Sequence, residues 1–254
     1  MQHLYCNSNG FYSSHELKFD ALFTESEQVS FLLEESKTKL KKIVRERDWF
    51  SPLGFKLTDK NSRNIVLSKD SVPADADWND MVFFQNYINT FCNSKIGWGG
   101  YLENRVFYLR SEVFLGEHTH RNIHLGIDIW TESNTPIYAI YDGEIYGFAN
   151  NSSMGDYGYT IILKHSIDDD VFYSLYGHLS SFNFNKLKVG MPVKKGELIA
   201  KIGEYAENGN WPSHLHFQIM TSMFELRADF PGVCFDWQKP FFETVCLNPE
   251  SILF

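Results

Sequence analysis

Tyr159-Thr160-Ile161-Ile162-Leu163-Lys164-His165 and Val171-Phe172-Tyr173-Ser174-Leu175-Tyr176 stand on either side of the acidic tip Asp168-Asp169-Asp170. β-Branched and aromatic residues dominate both runs, and such residues fit a pleated, packed surface, so the stretch reads as two strands and a turn. The acidic tip has no further oxygen ligands at calcium-loop spacing and reads as a solvated turn. Earlier in the chain, Pro136-Ile137-Tyr138-Ala139-Ile140-Tyr141 and Glu144-Ile145-Tyr146-Gly147-Phe148 flank Asp142-Gly143, the dipeptide of a tight hairpin. Leu198 to Ile202 and His214 to Met220 add further strands. The expected fold is mainly β, with an α-helical N-terminal region.

That N-terminal region changes character near residue 95. Thr24-Glu25-Ser26-Glu27 is a capping-box pattern, and Val29, Leu32, Leu33, Leu40, Ile43 and Val44 then recur at helical spacing, predicting a helix over 25–47. Asp77 is the expected N-cap of a second helix with Trp78, Met81, Val82, Ile88 and Phe91 on one side. Asn64-Ile65-Val66-Leu67 reads as a short strand between them. The expected organisation is a helical cap over 1–95 and a β domain over 96–254. The tail from Asp229 to Phe254 should pack back on that domain.

The 254 residues carry a net charge of −9 with no sustained basic run, which leaves a nucleic-acid partner without an electrostatic footprint. Lys37 to Arg47 mixes both signs and reads as a solvated helix face. No run approaches the ~18 apolar residues of a membrane span. The first ten residues lack a charged stretch followed by an apolar one, so no secretory signal is read and a cytoplasmic location is expected. Cys6, Cys92, Cys234 and Cys246 form no Cys-x-x-Cys pair, which predicts free thiols, although spacing alone also permits a Cys234–Cys246 bridge. Oligomeric state is not legible.

The chemistry-bearing residues are His124 and Asp128, then His178, then His214 and His216. Two imidazoles and one carboxylate from such a set would leave a coordination position open, as catalytic rather than structural zinc requires. Two histidines would then remain for proton handling or oxyanion stabilisation. His214 and His216 share a strand face at a separation of ~6.6 Å. His124 and Asp128 would lie ~13 Å apart on a straight strand, too far to reach one ion. Leu125-Gly126-Ile127 is poor helix sequence, so a kink at Gly126 is required, by a bend or a positive φ.

These motifs resemble the lysostaphin-type zinc endopeptidases, β-rich enzymes that cut peptide cross-links of bacterial cell walls. The resemblance runs from about Gly99 to Ile219. It includes Asp156 to His165, similar to the family's strand before its long hairpin, and Val189 to Gly203, similar to its penultimate hairpin. It implies an antiparallel β-sheet or barrel-sandwich catalytic domain holding Zn2+ through His124, Asp128 and His216. It implies His214 as general base and His178 as an orienting or transition-state-stabilising group, with a peptide or muropeptide as substrate. Trp211-Pro212-Ser213 replaces the family's usual Gly-Pro, and Gln218 replaces its common Glu; both are expected at the cleft wall. Gly100-Tyr101, Asn104-Arg105, Asp229-Phe230-Pro231-Gly232 and Asn248-Pro249 are also similar to a subgroup fused to aminotransferase-like enzymes.

Other residues carry less. His118-Thr119-His120 lies on a polar approach and reads as surface, and His165 ends a strand and reads as structural; His3 and His15 lie in the N-terminus. Trp130, Tyr157, Tyr159 and Trp211 are candidates to line a groove, and Asn104 or Arg105 to touch metal or substrate. A biotinyl- or lipoyl-type carrier would need an exposed Lys at a tight turn beside Met, which is absent. A catalytically inactive binding module is the alternative function; it would be expected to have lost a ligand, and none is lost.

Overall fold

The computed structural model describes residues 35, 37, 38, 41, 42, 44 and 47–254, apart from 74, 116–119 and 225. The helix expected over 25–47 lies outside the described residues except for those single positions, and so do Cys6, His3, His15 and His118. In chain order the strands begin with Ser62–Asn64 (β1), Ile96–Gly99 (β2), Ile123–His124 (β3), Ile127–Trp130 (β4) and Pro136–Tyr138 (β5). Gly143–Asn151 (β6), Gly158–Ile167 (β7), Asp170–Leu179 (β8), Pro192–Val193 (β9) and Leu198–Lys201 (β10) follow. His214–Met220 (β11), Val233–Cys234 (β12) and Cys246–Leu247 (β13) complete them, and the helices are Met81–Cys92 (α1), Lys239–Val245 (α2) and Glu250–Leu253 (α3).

The main sheet runs β1-β2-β4-β11-β8-β7-β6-β9, with β13 also pairing on β11. It is open, so the sheet does not close into a barrel. Among the described residues, only β1 and β2 pair in parallel within it, a pairing that carries the sheet across residue 95. β7 and β8 form the hairpin expected from the opening stretch, turning at 168–169 with Asp168 at φ +55°.

Period-2 alternation sorts the two faces of the sheet. Ile127, Ile129, Leu215, Phe217 and Ile219 all enter one apolar core, shared with Tyr176 and Leu179. Asp128 and Trp130 on β4, and His214, His216 and Gln218 on β11, alternate with them and face the other way. Every residue of β11 is buried. The polar row is therefore covered too, and must find its partners inside the protein.

Two local signals are overruled. Asp142-Gly143 makes no hairpin: β5 pairs with β10, whereas β6 pairs with β7 and β9. Neither residue has the positive φ a tight hairpin turn needs. Gly143 is instead required by space, since a Cβ there would stand 2.4 Å from the Lys164 carbonyl. The Asp142 carboxylate accepts from the Lys195 N–H at 2.8 Å. The second helix starts later than expected. Asp80 is its N-cap, accepting from Val82 and Phe83 N–H, while Asp77 caps only a preceding turn at Asn79. Its buried face is Phe84, Ile88 and Cys92, leaving Val82 and Phe91 exposed. The strand expected at 64–67 falls at Ser62–Asn64.

His165 is buried; Nδ1–H donates to the Asp142 carbonyl at 3.0 Å, and Nε2 accepts from the Ser174 hydroxyl at 2.7 Å. Burial, against the weaker pull of Asp142, lowers its pKa to about 4. The unfolded chain binds a proton from about pH 6.5 downward that the folded protein refuses until about 4. Stability should therefore fall across that window by up to about 3 kcal/mol. Urea unfolding at pH 7 and 4.5 should show this component in the native protein and not in His165→Asn. An equal pH dependence in both proteins would assign it elsewhere. Cys92, Cys234 and Cys246 are free and buried. Among the described residues no helix is long and apolar enough to cross a membrane.

Candidate metal centre

Adjacent strands deliver the donors. β11 and β4 pair so that His216 lies opposite Asp128, and His214 opposite Trp130. His124 ends β3, the chain breaks at Leu125-Gly126, and β4 resumes at Ile127. The bend required at Gly126 is present, and it is made without a positive φ. A side chain there is excluded by crowding: a Cβ would lie 2.7 Å from His216 Nε2 and 2.8 Å from the Phe217 carbonyl.

His124 Nε2, His216 Nδ1 and Asp128 Oδ1 converge on one point, with 2.9 Å between the imidazole nitrogens and 3.2 Å from each to the carboxylate oxygen. The outer hydrogen bonds fix both tautomers. His124 Nδ1–H donates to the Gly100 carbonyl at 2.9 Å, and His216 Nε2–H donates to Gln218 Oε1 at 3.0 Å. Each ring therefore turns a bare lone pair toward the other and toward a carboxylate. Unshared lone pairs at these distances repel, and a cation between them removes the repulsion. Two imidazoles and one carboxylate, all within 4.8 Å of one another, suit zinc and leave further coordination positions open.

Electrostatics favour the deprotonated donors. Burial foremost, then the Arg105 charge, lowers the His124 pKa to about 3. Burial by itself would raise Asp128, but His124, Arg105 and His214 pull it well below the usual carboxylate range.

His214 and His178 stand beside this point. Their ring centroids are 4.1 Å apart, and His214 Nε2 lies 3.6 Å from Asp128 Oδ1. His178 follows Gly177, the residue facing His216 on β8, and a φ of +60° swings it out of the strand register. His214 Nδ1–H donates to the Pro212 carbonyl and His178 Nδ1–H to the Asn208 carbonyl, each at 2.7 Å. Burial first, and neighbouring histidines with it, lowers the His178 pKa well below the imidazole value; burial also lowers His214. Both rings are thus neutral, with Nε2 as an acceptor.

Gln218 is not at a cleft wall. It is fully buried behind His216, and its amide also donates to the Pro231 carbonyl at 3.2 Å. The β11 alternation of 214, 216 and 218 carries that placement. Sequence reasoning also missed the Gly100 carbonyl and the grip of Arg105 on Asp128. A lone Arg entering Val106-Phe107-Tyr108-Leu109, two residues after Glu103, was the available signal. Asn104 instead accepts from the Asn122 amide.

The centre lies under a roof. Trp130, Tyr157 and Trp211 line its cavity as expected; Tyr159 packs on Phe184 instead, at 4.7 Å. Phe84 from α1 and Phe107, Tyr108, Val113 and Phe114 line it as well. The segment bearing the last four is strapped down at both rims. Arg110 Nη2 donates to the Asn210 carbonyl at 2.9 Å, and the Ser111 hydroxyl to the Met154 carbonyl at 2.6 Å. None of His124, Asp128, His178, His214 and His216 is more than 5% exposed. The cavity of about 50 Å³ has room for a few waters.

Residues 122–227 match Peptidase family M23, and they contain all five of these residues. That segment is similar to the M23 peptidases. The chain is 36% identical over 103 residues to glycyl-glycine endopeptidase ALE-1 of Staphylococcus capitis, covering 40% of this chain and 25% of that protein. It is 32% identical over 102 residues to lysostaphin of Staphylococcus simulans, covering 40% of this chain and 19% of that protein. The chain thus spans a quarter or less of the length of these relatives. Among solved structures, the lysostaphin catalytic domain from S. simulans is 30% identical, with 48% of this chain and 80% of that one covered and a TM-score of 0.32. A mutant catalytic domain of the prophage-encoded M23 protein EnpA from Enterococcus faecalis is 19% identical, with 54% and 83% covered and a TM-score of 0.35.

Proposed function

We propose that this protein is a zinc-dependent peptidase that hydrolyses amide bonds of short peptides at the His124–Asp128–His216 centre. The observation carrying this reading is the convergence of three deprotonated donor atoms, tautomers fixed from behind, with two neutral histidines beside them. Bound zinc would supply Lewis acidity, polarising the scissile carbonyl and acidifying a water.

The chain's own groups handle the protons. His214, fixed as the Nδ1–H tautomer by Pro212, offers Nε2 to take a proton from the attacking water and to return it to the leaving amine. His178 is held in the same tautomer by Asn208, so its neutral ring presents an acceptor where the oxyanion role expects a donor. It can donate to a developing oxyanion only as an imidazolium. The ring centroids are 4.1 Å apart and a charge on one opposes a charge on the other, so the pair holds at most one added proton. Arg105 keeps Asp128 ionised and oriented.

Any peptide needs the 105–115 segment of the roof to shift, and a small, muropeptide-sized peptide needs a smaller shift than intact polymer, which favours it as substrate. The test pairs metal analysis with digestion. The expected result is about one zinc per chain and cleavage of soluble muropeptides in preference to intact sacculi, read by mass spectrometry. Protein that takes up zinc yet cuts neither would favour an inactive binding module.

A further inference from the structure

Asp128 points only one oxygen at the metal position, because the other is occupied. Arg105 Nη1 donates to Asp128 Oδ2 at 2.5 Å and to the Tyr108 hydroxyl at 3.2 Å. Arg105 Nε donates to Glu103 Oε2 at 2.7 Å, and Glu103 Oε1 accepts the Leu67 N–H at 2.8 Å. Arg105 is 1% exposed and heads the largest fully buried side chains, with Phe107 and Trp130 against its guanidinium at 5.3 and 5.7 Å. Burying such a cation is costly unless its partners are well placed. Here the planar fork joins two carboxylates from different parts of the chain, a geometry that a lysine ammonium cannot reproduce.

We infer that Arg105 is the positioning residue of the metal centre, holding Asp128 Oδ2 so that this carboxylate serves as a one-oxygen ligand. With Oδ2 released, the carboxylate could swing to chelate through both oxygens. It would then consume a coordination position that water and substrate need. The guanidinium also offsets part of the carboxylate charge, leaving a bound cation the stronger Lewis acid. Glu103 anchors the arginine from the other side, through the backbone at Leu67. This inference rests on the zinc reading above and goes beyond it by assigning a group that touches neither metal nor substrate.

The test compares the native protein with R105K and R105M. The readouts are zinc affinity by chelator competition, the visible spectrum of the cobalt(II)-loaded protein, and thermal unfolding of the metal-free protein. In R105M the loss of carboxylate orientation should outweigh the gain from its unshared charge and weaken zinc binding by about 10–100-fold. Its cobalt absorption should fall in intensity, as expected when coordination number rises. R105K should lie between the two, since it keeps charge and loses the fork. A purely structural role would lower the unfolding temperature and leave the cobalt spectrum of the folded fraction unchanged. Unchanged affinity and spectrum in both variants would overturn the proposal, and R105K alone decides it should R105M not fold. Native protein that binds neither zinc nor cobalt would sink the metal reading itself, and this inference with it.

Discussion

His214→Ala should keep its zinc and lose about 10²–10⁴-fold in kcat, the usual worth of a positioned acid–base group. The ring contributes no donor atom to the His124–Asp128–His216 cluster, so metal content should not move. What disappears is the Nε2 acceptor, held 3.6 Å from Asp128 Oδ1 by the hydrogen bond to the Pro212 carbonyl. His178→Ala gives a sharper contrast. With its Nδ1 tied to Asn208, His178 can stabilise an oxyanion only after gaining a proton, and it competes for that proton with the His214 ring 4.1 Å away. The two losses should therefore be far from additive, with the double variant close to the worse single one. Steady-state rates on a soluble peptide, normalised to zinc content, check this. Losses that multiply would separate the two rings into independent roles, and near-native turnover in His214→Ala would remove it from the chemistry.

How much of this centre was legible depended on whether a residue's partner lay near it in sequence. His214 and His216 sit two apart on one strand, so their shared face follows from the pleat alone. The break at Gly126 followed from distance, because a straight strand cannot bring His124 and Asp128 to one ion. Gln218 was equally legible by the same alternation, but its family position pointed instead to a cleft wall. Arg105 and Gly100 reach their partners across 23 and 24 residues of chain, and no local pattern specifies such a meeting. The roof was hidden for a related reason: Phe107, Tyr108 and Phe114 lie on short 3-10 turns with no long period to read. Asp142-Gly143 failed the other way. Its local preference for a hairpin lost to β6 pairing with β7 and to the grip of Lys195 on the Asp142 carboxylate.

The largest effect expected on metal content is from His216→Ala, which should leave the purified protein essentially without zinc. Asp128→Ala and His124→Ala should do the same. Removing one of three protein donors leaves two, and the gap opens at a point where the remaining groups are already fixed from behind. His124 is tied to Gly100 and Asp128 to Arg105, so neither can swing to compensate. The fold should survive the His216 change, because β11 keeps Leu215, Phe217 and Ile219 in the opposite core and its pairing with β4 and β8. Gln218→Leu provides the graded control. It spares every ligand and removes the carbonyl that fixes the His216 tautomer, together with the amide bond to Pro231, so zinc affinity should drop by about 10–100-fold, short of abolition. Metal analysis of the four variants after identical dialysis, alongside their melting curves, gives the order. Full zinc in folded His216→Ala would break the ligand assignment, whereas native affinity in Gln218→Leu would show that the tautomer needs no support from behind.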